Sequence, residues 1–338
     1  MAEKMSEVYN AYDMHISQVM RGRGAWILKT DKGIYQLKSL DVNPSRLSAE
    51  YQFKEGLENQ GFQSIDSCVK NEDEELYTCD RYGNPYVLRR FFLGRECNPV
   101  DMDDVVKGVK NLANFHKVGR SVFEDTDGDV HIRVTGDYRK RNQCIKRVRN
   151  YITKQRSKRE FEEKFLKSYD YFSQQGLKCQ EEYEAMVDDS EKEQDAKEKN
   201  GFEHLGYCHG MYNHHSLVMT EDLGCPVGTI SFDKFYLGNQ MDDLYHYLRK
   251  TLEKNDYDFK VMSTIIDEYN KVNPICKEDL NYIYTCYCYP EKFYKLANQY
   301  INGTKNWLSP KLLEKLDKMI QDEGKKQQLL ENMRKEYL

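Results

Sequence analysis

The sequence predicts an α+β fold of two unequal lobes, a small β-rich N-lobe with one helix and a larger, mostly helical C-lobe. Three observations carry this. The first 95 residues hold short runs rich in β-branched and aromatic residues, HISQVM, AWILKT and IYQLKSL, separated by the turn signals RGRG and DKG. Asn43-Pro44-Ser45 then opens a helical stretch from about Arg46 to Gln60, closed by Gly61. From about Pro99 onward the apolar spacing turns helical, as at Val105, Val109, Leu112, Phe115 and His116.

The remaining elements follow in order. Strands are expected around 64–70 and 75–79, and an apolar run covers Tyr86 to Leu93. A helix is expected over 101–118, and a long helical region over 138–200. Its start is basic, with ten Lys/Arg and no acid over 139–159, and its end is acidic. An irregular region with strand-like pieces spans 205–235. Helices are expected over 241–254, 259–272, 277–288, 291–301 and 310–321, ahead of a charged tail. The domains expected are residues 1–95 and 96–338. The outline is that of a kinase-like fold.

Composition narrows the function classes. The 338 residues are 39% hydrophobic and 32% charged, with 20 Gly and 7 Pro, which excludes disordered and collagen-like chains. A net charge of −5 implies no general attraction to nucleic acid. Without a run of about 18 apolar residues, no membrane span is expected. The first residues lack the basic and apolar regions of a signal peptide. Ten Cys without a CxxC pair read as reduced thiols, and Cys286 and Cys288 are not expected to pair in a helix. Tyr is over-represented, at 26 against 14 Phe and 2 Trp. Amphipathic packing of helix faces is its main expected use, and cross-linking through exposed tyrosines a secondary one.

Several residues suggest nucleotide chemistry. Gly22 and Gly24, in RGRG, lie between two strands, where a Gly-rich hairpin brings backbone N–H groups close to phosphates. Lys38 lies in a strand and Glu50 in the following helix, the arrangement by which protein kinases hold the α/β-phosphates. The informative segment is Cys208-His209-Gly210-Met211-Tyr212-Asn213-His214-His215-Ser216-Leu217-Val218, followed by Thr229-Ile230-Ser231-Phe232-Asp233.

These segments resemble the catalytic loop and metal-binding strand of aminoglycoside and choline kinase-like phosphotransferases. More closely, the chain resembles bacterial spore coat proteins of the CotS type, which share that fold. The resemblance rests on RGRGAWILKTDKGIYQLK, on the GREC element at Gly94 to Cys97, and on KRVRNYITKQRSKREFEEKFLKSYDYF. It rests also on DDLYHYLRKTLEKNDYDF with IIDEYNKVNPI, and on PEKFYKLANQYINGTKNW. It implies that the loop runs over 209–218 and the metal strand over 229–233. Met211 then stands at the general-base Asp position, Ser216 at the metal-binding Asn and Ser231 at the metal-binding Asp.

A thioether accepts no proton, and a Ser hydroxyl is a weak ligand for Mg²⁺ beside a carboxylate. Loss of one such group typically costs several kcal/mol of transition-state stabilisation. The expectation is a kinase-like protein without catalysis and without a cofactor, a structural or assembly component of the endospore coat. Its partners would be other coat proteins, and it would be made in the mother-cell cytoplasm and deposited on the spore. The alternatives are an active phosphotransferase using ATP and Mg²⁺, and a nucleotide-binding scaffold without transfer through Gly22, Gly24, Lys38 and Glu50. Asp233 is a weak metal candidate, because two residues along a strand displace it by about 6.5–7 Å.

Other patterns are expected to be structural. Asp125, Asp127 and Asp129 hint at a calcium loop, but Val130 and Gly136 replace its Gly and Glu. His204, His209, His214 and His215 lack Cys or carboxylates at ligand spacing for zinc. The basic stretch Arg139 to Arg159 reads as a solvated helix face, able to pair with Glu181 to Glu198.

Overall fold

The computed structural model describes residues 6–22, 24–41, 43–124, 137–191, 204–222, 224–303 and 310–338. The segment with Asp125, Asp127, Asp129, Val130 and Gly136 lies outside the described residues, as do Arg23 and the end of the acidic stretch. The chain divides into two compact units. One comprises Met1–His131, Gly206–Leu237 and Asp267–Asn273, the other Ile132–Leu205, Gly238–Ile266 and Pro274–Leu338. The loop 209–218 and residues 229–233 therefore fall in the same unit as the first 95 residues.

The first unit is built on an antiparallel sheet. After α1 (Ser6–Tyr9) come β1 (Ile16–Gly22), β2 (Ala25–Thr30) and β3 (Gly33–Ser39). Then follow α2 (Pro44–Asn59), β4 (Cys68–Val69), β5 (Thr78–Cys79) and β6 (Pro85–Arg90). The strand order is β1-β2-β3-β6-β4, with β5 on β6. The register of β3 on β6 sets the chemistry of the two faces. Leu37 lies opposite Leu88, and Lys38 opposite Val87. Because side chains alternate, Leu37 and Leu88 join Leu28, Val8 and Tyr12 in one core. Lys38, Val87 and Arg89 point to the other face.

Helix α2 starts as its sequence signals. Pro44 sits in its first turn, and the Asn43 side chain accepts the Arg46 N–H at 2.8 Å. The strands expected over 64–70 and 75–79 shrink to two residues each. After β7 (Gly94–Glu96), α3 (Met102–Glu124) buries Val105, Val109, Leu112 and Phe115. β9 (Leu217–Thr220) lies between β10 (Val227–Thr229) and β7. Two further short strands are β8 (Leu205–Cys208) and β11 (Tyr236–Asn239).

The second unit is helical. The long helical region expected over 138–200 comprises, among the described residues, α4 (Tyr138–Thr153) and α5 (Glu160–Glu191), separated by 154–159. That linker, KQRSKR, contains no apolar residue to bury, so nothing there favours continuing the helix against a core. The Arg139 guanidinium pairs with Glu184 at 3.1 Å, in line with the basic-to-acidic pairing expected. There follow α6 (Met241–Leu252), α7 (Phe259–Asn270), whose end from Asp267 belongs to the first unit, α8 (Lys277–Cys288), α9 (Glu291–Asn302) and α10 (Pro310–Tyr337). α10 takes in the charged tail beyond residue 321 because Leu329, Leu330 and Met333 are buried. The core of this unit is Phe161, Phe165 and Phe172 of α5 against Phe293 and Leu296 of α9, with Ile145, Val148 and Leu316. All ten cysteines are free. Among the described residues no helix is long and apolar enough to cross a membrane.

Candidate functional site

The loop 209–218 is held by its histidine. The Met211 N–H donates to His209 Nδ1 at 3.2 Å, which leaves Nε2 to donate to the Ile230 carbonyl at 3.0 Å. His209 thus ties the loop to the residue before Ser231. Gly210 has φ +80, and a Cβ there would lie 2.1 Å from the Lys234 carbonyl oxygen, so only glycine fits. Tyr212 is buried and donates to the Gly108 carbonyl at 2.7 Å. The loop is thus held rigidly from both sides, and what it can do rests on the side chains it carries.

Met211 presents an exposed thioether. Ser216 closes a 3-10 turn, His214–Ser216, with its hydroxyl donating to the Asn213 carbonyl at 2.8 Å and accepting the Asn213 N–H at 3.1 Å. The hydroxyl is buried and its proton is committed to the protein. Ser231 lies just past β10, which ends at Thr229. The expected strand over 229–233 is therefore interrupted, and Phe232–Lys234 forms a second 3-10 turn. Ser231 has φ +70 and ψ 52, a left-handed conformation that costs a non-glycine residue about 1–2 kcal/mol. Its N–H donates to Asp66 Oδ2 at 2.9 Å.

Lys38 and Glu50 do not pair with each other. Lys38 Nζ bonds Asp233 Oδ2 at 2.7 Å, and Arg89 approaches the other Asp233 oxygen at 3.8 Å. Glu50 is buried on α2 and accepts from Lys54 at 2.6 Å and from Arg89 at 3.2 and 3.0 Å. Lys54 also bonds Asp66 at 2.7 Å. Arg46, from the first turn of α2, donates to the Asp233 and Phe235 carbonyls at 3.3 and 2.7 Å. The face expected to meet nucleotide phosphates thus holds a closed chain of Lys38, Arg89 and Lys54 against Asp233, Glu50 and Asp66.

Lys38, Arg89 and Lys54 are thus each paired with a carboxylate, while Arg46 is spent on two backbone carbonyls. Burial pushes the Glu50 carboxyl up, but Lys54 and Arg89 outweigh it and hold it below its ordinary value. Asp233 is likewise lowered, as the Lys38 hydrogen bond and the Arg89 charge overcome burial. Both Asp233 oxygens face cations, so a divalent ion would have to displace Lys38 and Arg89 to reach them. No other described carboxylate stands at 211, 216 or 231 in its place.

Gly22 and Gly24 sit at the β1–β2 hairpin, where Gly22 faces Ala25 in register. Gly24 takes φ +70, the left-handed conformation that a two-residue turn needs. Sequence reasoning missed Arg89, Lys54 and Asp66. They are ordinary charged residues whose meeting depends on the β3–β6 register.

The family described as spore coat putative kinase YutH matches residues 5–333. The chain belongs to this family. No curated protein sequence matches it. The YutH-family chain has the kinase-like fold of solved phosphotransferases. An aminoglycoside phosphotransferase from Alicyclobacillus acidocaldarius is 19% identical, with TM-score 0.81 over 98% of this chain and 96% of that one. A spectinomycin phosphotransferase, solved with ADP and spectinomycin, is 12% identical, with TM-score 0.61 over 96% and 97%. An amicoumacin kinase, solved with AMP-PNP and Ca²⁺, is 12% identical, with TM-score 0.60 over 98% and 92%. The resemblance to kinase-like spore coat proteins drawn from the sequence is therefore borne out, as is the α+β fold class.

Proposed function

We propose that this protein is a structural or assembly component of the endospore coat that keeps the phosphotransferase fold without phosphoryl transfer. The observation that carries the reading is the substitution of Met211, Ser216 and Ser231 at the positions of base and metal ligands. The salt-bridged state of Asp233 supports it, since this carboxylate is held by Lys38 and Arg89. Phosphoryl transfer relies on positioning and on metal-assisted charge stabilisation, and these side chains supply neither a proton acceptor nor a hard oxygen cage.

On this reading the protein is made in the mother-cell cytoplasm and joins other coat proteins on the forming spore, with no cofactor required. Its fold then serves as a scaffold. A fluorescent fusion followed through sporulation tests the location. Signal gathering around the forespore is expected. Diffuse signal with no association with the spore contradicts the coat role. The same strain expressing the Lys38→Ala form should assemble normally, because the reading gives nucleotide no part in assembly.

A further inference from the structure

Glu96, His214 and His215 come together although neither histidine lies near the glutamate in sequence. The pairing of β7 with β9 sets Glu96 opposite Val218, two residues past Ser216, so its side chain reaches the 3-10 turn that carries both imidazoles. One ligand atom from each of the three residues lies within 4.8 Å of the others. His215 Nδ1 stands 2.5 Å from Glu96 Oε1, and the two imidazole rings are 4.0 Å apart. The backbone under them is fixed. Asn213 accepts the His215 N–H at 3.0 Å, and Asn213 and Ser216 cap each other.

We propose that Glu96, His214 and His215 form a divalent metal site of the zinc class. Two imidazoles and a carboxylate suit Zn²⁺ and are unsuited to Mg²⁺, which prefers oxygen ligands alone. With bonds of about 2.0–2.2 Å, ligand atoms around a tetrahedral zinc stand about 3.3 Å apart. His215 Nδ1 and Glu96 Oε1 now share a hydrogen bond at 2.5 Å, so an ion would replace that proton and spread the two atoms to ligand spacing.

The carboxylate has His215 as its one basic partner among the described residues. Its neighbour Arg95 turns to Asp104 at 2.5 and 2.8 Å, and among the described residues no Lys or Arg pairs with Glu96. Glu96 and His215 are half exposed, at 52% and 55%, which gives an ion a path in, while His214 is buried beneath. Three protein ligands leave a fourth position for water or for a ligand atom from a partner. The inference does not depend on whether the chain transfers phosphate.

Calorimetric titration of the full chain, stripped of metal and in thiol-free buffer, tests the site with Zn²⁺ and Mg²⁺ as probes. One Zn²⁺-selective site is expected. Glu96→Gln and His215→Ala should each weaken it by about 10–100-fold or more, since even outer-shell changes cost that much. Both residues are surface-exposed, and matching thermal melts would show the variants folded. The Co²⁺-loaded protein should show ligand-field absorption without a thiolate charge-transfer band. Absence of Zn²⁺ binding, binding unchanged in both variants, or a thiolate band would each overturn the proposal, the last by placing the metal on cysteines.

Discussion

At Ser231 the backbone keeps a left-handed conformation that a serine adopts only at a cost, and the Asp66–Lys54 pair holds it there. On the proposed reading, this turn keeps the shape of a metal-binding one without its carboxylate. Restoring one side chain should accordingly achieve little. Met211→Asp should show no phosphoryl transfer in an assay of labelled ATP, because Ser216 and Ser231 would still stand at the positions proposed for metal ligands. The buried charges beneath are a separate matter of stability. Lys54→Met leaves Glu50 and Asp66 short of a cation in a dry environment and should lower unfolding free energy by about 3–5 kcal/mol in urea titration. Lys38→Ala, at a pair that is 28% and 34% exposed, should cost only about 0–1 kcal/mol.

Single residues also set the response to pH. Burial, reinforced by the Arg249 charge, pushes the His246 imidazole down to about 4 from 6.5, against the opposing pull of Asp243 and Glu291. The folded protein therefore refuses a proton that the unfolded chain accepts. Stability is unaffected above pH 6.5 and falls as pH drops from 6.5 towards 4, by up to roughly 1.4 kcal/mol per unit. Glu50, whose folded value is lowered, contributes stability above its ordinary 4.5 and loses it only as pH falls further. Thermal melts between pH 7.5 and 4.5 should show the His246 slope, and His246→Gln should flatten it.

Helix α2 concentrates the polar chemistry of the first unit. Its first turn sends Arg46 to the Asp233 and Phe235 carbonyls, and its middle sends Glu50 and Lys54 into the ion-pair chain. If Asp233 is what occupies Lys38, then Asp233→Asn should free a cation and raise the affinity for polyphosphate. A thermal shift with tripolyphosphate that is larger in the variant than in the natural chain is the expected outcome. The helix itself was legible in the sequence from Asn43-Pro44 and Gly61. Its partners were not, because Glu50 could be assigned to Lys38 only by analogy. The strand register brings Arg89 to the same face, and one helical turn brings Lys54. In the same way Glu96 and His215, 119 positions apart, meet only through the β7–β9 pairing.

For the whole molecule, the sequence foretold the α+β kinase-like architecture because turn signals, caps and helical spacing are local and agree with one another. It ran α4 and α5 together because both are amphipathic and the linker between them is polar but free of Gly and Pro. The tyrosine surplus also resolves at this scale. Tyr212, Tyr247, Tyr269, Tyr282 and Tyr289 are among the largest fully buried side chains, and Tyr138 packs on Tyr183 and Tyr289 at 5.1 and 4.4 Å. Tyrosine here mainly builds helix cores. Among exposed large side chains are Tyr82 and Tyr171, so any tyrosine cross-link recovered from purified coat should map there rather than to the buried cluster.

A phosphotransferase fold proposed to lack transfer chemistry is best probed by titrating the full chain with ATP, with and without Mg²⁺. No Mg²⁺-dependent gain in binding and no phosphate release above buffer are expected. Tight binding that requires Mg²⁺, together with turnover, would contradict the proposal.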